Sequence, residues 1–150
     1  MKTIYTTLLA SLLFFTSFNV FSQSNEQQVK NILTSYHNKI EALDTEGMSG
    51  LFLKESTVFE SGGSEGTFDH YLDHHLGPEL KAFKSFKFND YTVEVTVDGH
   101  YAFATETYTY QIELLKGGRK IEKKGVATSV LKKVEGQWKI MRTHSSSRNK

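Results

Sequence analysis

Residues 125–147 read GVATSVLKKVEGQWKIMRTHSSS, and the folding of this stretch decides the architecture around it. It divides at Glu135-Gly136 into two runs of strand character. In the second run Trp138, Ile140, Arg142 and His144 stand two apart, so in a strand they share one face. An apolar floor at Trp138 and Ile140 then grades into a polar mouth at Arg142 and His144, the gradient that a ligand pocket needs.

Working backwards, strand-like runs occupy about 84–97, 101–115 and 120–134, with 137–147 as the last. Asp98-Gly99 and Gly117-Gly118 separate the earlier ones and favour hairpin turns, so the four runs form an antiparallel meander. Before them the period changes to that of helices. Ser24-Asn25-Glu26-Gln27 has capping-box form, and Val29, Ile32, Leu33, Tyr36, Ile40 and Leu43 follow at helical spacing, predicting a helix over about 26–44. Asp44 or Thr45 opens a short second helix through Met48, Leu51 and Phe52, and Thr57–Glu60 reads as a strand.

Ser61–Gly66 is a glycine-rich turn without the Gly-Lys-Ser/Thr ending of a phosphate-binding loop. A third helix carries Phe68, Leu72, Leu76 and Leu80 in one stripe, bent or interrupted at Gly77-Pro78. Helices first and sheet second make an α+β domain.

The chain has 150 residues, enough for one domain. Residues 1–22 carry Lys2, an apolar run from Leu8 to Phe15 and a Val20-Phe21-Ser22 ending. This is the plan of a secretory signal peptide, too short in its apolar part for a permanent span, so residues 23–150 are expected as a single periplasmic or secreted domain without a stable membrane anchor. No cysteine is present, which excludes a disulfide framework, a lipidated cysteine and thiolate metal sites. Removing Lys2 from the 18 basic residues balances the 17 acidic ones, and that balance argues against nucleic acid as a partner. Phe83, Phe86 and Phe88 alternate with Lys84 and Lys87; a strand with one solvated face explains them better than a single-strand nucleic-acid site.

With two-residue turns, pairing counted outward sets Val95 opposite Ala102, Tyr108 opposite Ala127, Ala127 opposite His144, and Ser129 between Glu106 and Arg142. One face then holds Val93, Val95, Ala102, Ala104, Leu131 and Ile140 at one end and Glu106, Tyr108, Arg142 and His144 at the other. The small residues Gly125, Ala127 and Ser129 leave room between the polar strands. The opposite face, with Tyr101, Phe103, Val126, Val130 and Met141, is apolar enough to predict a homodimer through the sheet.

The run from helix to VFESGGSEG turn, third helix and GVATSVLKKVEGQWKIMRTHSS sheet, over about 26–147, resembles the nuclear transport factor 2-like superfamily in its SnoaL-like bacterial branch. The resemblance implies a conical fold whose strongly bent antiparallel sheet wraps N-terminal helices and encloses a pocket, often in a dimer. It spans isomerases, dehydratases, hydrolases and non-catalytic binding domains, so activity is argued from the site. The Asp/His dyads of the catalytic branches do not map residue by residue onto this chain.

Glu60, Tyr71, His75, Glu106, Tyr108, Arg142 and His144 are the predicted pocket lining for a small polar or amphiphilic ligand. His75, Glu79 and His144 form a candidate site for zinc or another divalent ion, whereas His70 and His74 lie off the apolar stripe. For catalysis, His144 is the candidate general base beside Tyr108 and Glu106. Structural hydrogen bonding of the same histidines competes with all of these. The sequence reading favours an exported binding protein over an enzyme or a metal-binding protein.

Overall fold

The computed structural model describes residues 23–150; the leader read at 1–22 lies outside the described residues. Helix α1 spans Asn25–Glu41, and the Ser24 hydroxyl accepts from the Gln27 amide at 3.2 Å, satisfying one of the donors that a helix start leaves open. It buries Val29, Leu33, His37 and Ile40 along one stripe. The helix stops short of residue 44 because Leu43 turns to φ 54°. A 3₁₀ turn at Met48–Leu51 leads into strand β1, Phe52–Glu60, which begins earlier than predicted.

The glycine-rich segment is not only a turn. Its second half pairs back as β2, Gly63–Gly66. The third helix is continuous but uneven: α2 (Phe68–Tyr71), a π turn (Leu72–Leu76) and α3 (Gly77–Ala82). Pro78 has no N–H and would crowd the carbonyl four residues back in a regular helix. The π turn absorbs it, with the Gly77 amide donating to Leu72 O. A Cβ at Gly77 would lie 2.5 Å from that oxygen, so the widened turn requires glycine there.

Strands β3 (Phe83–Asp98), β4 (Tyr101–Leu114), β5 (Lys120–Val134) and β6 (Gln137–Asn149) complete a sheet of order β2-β1-β6-β5-β4-β3. The predicted meander is present, with β1 added beside β6 in parallel. The sheet curves around the helices in a cone-like α+β arrangement. Phe52 stacks on Phe68 at 3.6 Å, and Leu33, Met48, Leu80, Leu131, Trp138 and Ile140 fill the interior.

The counted register holds in part. In β3/β4 and β4/β5 it moves by two residues, Val95 facing Ala104, Glu106 facing Ala127 and Tyr108 facing Gly125; an even shift keeps every side chain on its predicted face. In β5/β6 Leu131 faces Ile140 as counted, but Val130 then faces Arg142. The extra residue is Met141, and this β-bulge reverses the faces beyond it. Thr143, Ser145 and Ser147 turn inward. Arg142 and His144 turn outward, opposite to their predicted placement, and both are exposed.

Candidate functional site

The concave face encloses a cavity of about 130 Å³. Its floor is built around Glu106 on β4, which is 3% exposed. Tyr91 donates its hydroxyl to Glu106 Oε2 at 2.8 Å, and His37 Nε2 lies 3.3 Å from the same oxygen. Tyr91 reaches this point because β3 bulges between Asn89 and Thr92, with Asp90 at φ 52°. His37 is stacked on Phe88 at 4.2 Å, edge-on to Tyr91 and Tyr108, and its Nδ1 has no partner.

Burial sets the protonation of this group. It pushes the Glu106 carboxyl up to about 7, against the Tyr91 hydrogen bond, and pushes His37 down to about 4. His37 is therefore neutral at physiological pH. With its proton on Nε2 toward Glu106, Nδ1 remains an acceptor. Burial also raises the phenols of Tyr36, Tyr91 and Tyr108, with the Glu106 charge adding to each, so all three stay protonated.

The mouth is formed by the β1–β2 hairpin and the third helix. Tyr71 donates to Glu60 Oε2 at 2.7 Å. His75 lies 3.3 Å from Glu65, 3.4 Å from Glu79 and 3.9 Å from Glu60. Burial opposes charge on His75, but the Glu65 hydrogen bond and the charges of Glu79, Glu60 and Glu65 together raise its pKa. The inward serines and threonine of β6 close the wall: Ser129 donates to Thr143 at 3.0 Å and Tyr110 to Ser147 at 3.0 Å.

Small residues make the space, as the sequence indicates. Ala127 and Ser129 line the cavity. Gly125 lies under the Tyr108 ring, where a Cβ would stand 2.3 Å from Cε2.

Of the predicted lining residues, the structure places Glu60, Tyr71, Glu106 and Tyr108 on the cavity, with His75 against Glu60 and Glu79 at its rim. Arg142 and His144 are not among them. Arg142 donates to Thr57 at 3.0 Å on the outer face, and His144 lies edge-on to Phe59 there. This corrects both the predicted catalytic grouping of His144 with Glu106 and Tyr108 and the metal grouping with His75 and Glu79. Among the described residues no group of three or more His, Cys, Asp and Glu side chains has the arrangement to hold a metal ion.

Sequence reasoning missed His37, Tyr91 and Glu65. His37 had a usable signal, since it continues the Val29, Leu33 stripe of α1. Tyr91 depends on a bulge and Glu65 on the hairpin return, and neither is written in local periodicity.

A bent sheet wrapped on helices over a polar-floored cavity agrees with the family profile that matches residues 29–149, the SnoaL-like domain. The chain belongs to the SnoaL-like domain family. No curated protein shows significant similarity to it. Among solved structures, it is similar to a nuclear transport factor 2-like superfamily protein from Salmonella enterica at 20% identity, with 83% of this chain and 92% of that one covered and a TM-score of 0.74. A candidate dehydratase of the same superfamily from Streptomyces avermitilis aligns at 21% identity over 81% of this chain and 95% of that one, TM-score 0.70. A type 2 hexachlorocyclohexane dehydrochlorinase aligns at 12% identity over 81% and 84%, TM-score 0.67. At these identities the likeness establishes the fold of this SnoaL-like chain, and the site alone argues its chemistry.

Proposed function

We propose that this SnoaL-like protein binds a small amphiphilic ligand in its concave cavity. The observation that carries the reading is the pairing of space with unspent polarity: small residues open a cavity whose floor holds a buried carboxylate and an unpartnered histidine nitrogen. Structural polar networks normally leave no such acceptor unpaired. The volume is close to that of an engineered cavity of about 150 Å³ that admits benzene, so the ligand is of single-ring size. Ligand-observed NMR with single-ring fragments should detect binders that are lost in Ala127→Phe, a variant that fills the space. Fragments binding equally to both proteins would refute the cavity as the site.

A proton-transfer reading comes second, and it rests on His37 rather than His144. Neutral His37 lies 3.3 Å from a Glu106 carboxyl raised to about 7, near the operating pH, and the two form a proton-transfer pair. Turnover of an identified substrate would then collapse in His37→Gln and be indifferent to His144→Ala; the reverse pattern would overturn this reading.

Two further parts of the reading concern the whole protein. Tyr101, Phe103 and Val126 are 41%, 50% and 41% exposed on the convex face, which supports a homodimer; Phe103→Glu should convert it to monomers in sedimentation. The leader composition supports export, and mass analysis of the exported protein should find a chain starting near Gln23.

A further inference from the structure

The cavity is one-sided in its chemistry. Glu60, Glu79 and Glu106 line it, and among the described residues no lysine or arginine does. Two basic groups act on its rim carboxylates. Lys123 acts on Glu79 from β5 without lining the space, and His75 faces three carboxylates at the rim. At the floor, both contacts to Glu106 fall on Oε2, while His37 lines the same cavity with an unpartnered acceptor at Nδ1. The walls are aromatic: Tyr36, Tyr71, Phe86, Phe88, Tyr108 and Tyr110.

Each feature favours the same ligand charge. A buried carboxylate without a counter-charge is costly, and a ligand cation offsets that cost where an anion would add to it. Aromatic faces carry negative potential and attract ammonium groups, most strongly when these are desolvated. Carboxylates at the rim lower the potential along the path inward and concentrate cations there. A neutral His37 beside Glu106 brings no positive charge that would repel a cation.

We propose that the cavity recognises a small organic ammonium ion with a single ring or an apolar group of that size, its ammonium at Glu106 and its apolar part among the aromatic walls. This rests on the cavity being the binding site and adds the charge class of the ligand.

The test uses three probes of one shape, benzylamine, benzyl alcohol and benzoate, titrated by NMR against the wild-type protein. Benzylamine should bind at least 10-fold tighter than benzyl alcohol, with benzoate weakest. Glu106→Gln should erase the preference while leaving benzyl alcohol within about 3-fold of its wild-type affinity. If that variant fails to fold, the Glu60→Gln, Glu79→Gln double variant should reduce the preference instead, and the wild-type ranking needs no variant at all. Equal or tighter binding of benzyl alcohol or benzoate, lost in Ala127→Phe, would keep the cavity as the site and overturn the cation. Benzylamine binding that survives Ala127→Phe would place it on the acidic surface and overturn the proposal. No binding by any probe at millimolar concentration would overturn both readings.

Discussion

Glu106 and His37 make opposite contributions to stability as pH changes. Glu106 ionises at 4.5 when unfolded and at about 7 when folded. Between those values the folded state holds the extra proton, so the Glu106 contribution falls as pH rises and is lowest above about 7. His37 ionises at 6.5 unfolded and about 4 folded, so its contribution rises with pH across that window. Glu106→Gln removes the first effect and keeps most of the second. Its stability relative to wild type should therefore rise by about 1 to 3 kcal/mol between pH 5 and pH 8 in urea titrations; a difference independent of pH would show that the folded carboxyl is not perturbed. The groups facing Glu106 are His37 from α1, Tyr91 from β3 and its neighbour Tyr108. Gly125 sets the position of Tyr108, so Gly125→Ala should cost about 1 to 3 kcal/mol by overpacking and weaken fragment binding at the same time. Glu106 and Tyr108 were legible as site residues because an even register shift left their faces unchanged. His144 was not, although it belongs to the same pattern of alternate residues.

The element that separates them is the bulge in β6. One unpaired residue, Met141, keeps Trp138 and Ile140 inside and turns Arg142 and His144 to solvent. His144→Ala should thus change stability by less than about 0.5 kcal/mol and leave fragment affinity unaltered. Deleting Met141 should remove the bulge without turning a face, because Ile140 and Arg142 then follow one another opposite Leu131 and Val130 and alternate in and out as they do now; fragment affinity lost in that variant would show that the bulge does more than set the faces. The π turn is a second local device. It lets one helix carry Pro78 and still bring Tyr71, His75 and Glu79 to the mouth. Gly77→Ala meets the Leu72 carbonyl at 2.5 Å and should lower the thermal midpoint, at a cost above about 1 kcal/mol. Such devices escape periodicity because both insert a single residue into a repeat, and their position is chosen by what the partner strand or helix can accept.

For the whole molecule, the stability rests at the end of the cone away from the cavity. Trp138 is 2% exposed, and Trp138→Ala should cost about 3 to 5 kcal/mol, whereas His75→Ala or Glu79→Ala at the mouth should cost far less, because those side chains are 34% and 50% exposed. Equal costs at both ends would contradict this division between a packed base and an open, functional end. The sequence by itself determined the α+β class, the capped first helix, the four-stranded meander and the small residues that hollow the concave face. These follow from hydrophobic period, helix capping and turn chemistry, which act between residues close in the chain. Only the tertiary structure decided that β1 joins β6 in parallel, that His37 rather than His144 meets Glu106, and that three carboxylates share one aromatic cavity. Those outcomes depend on contacts between distant segments and on a one-residue bulge, where the free energy of packing against the sheet selects among registers that local sequence leaves nearly equal.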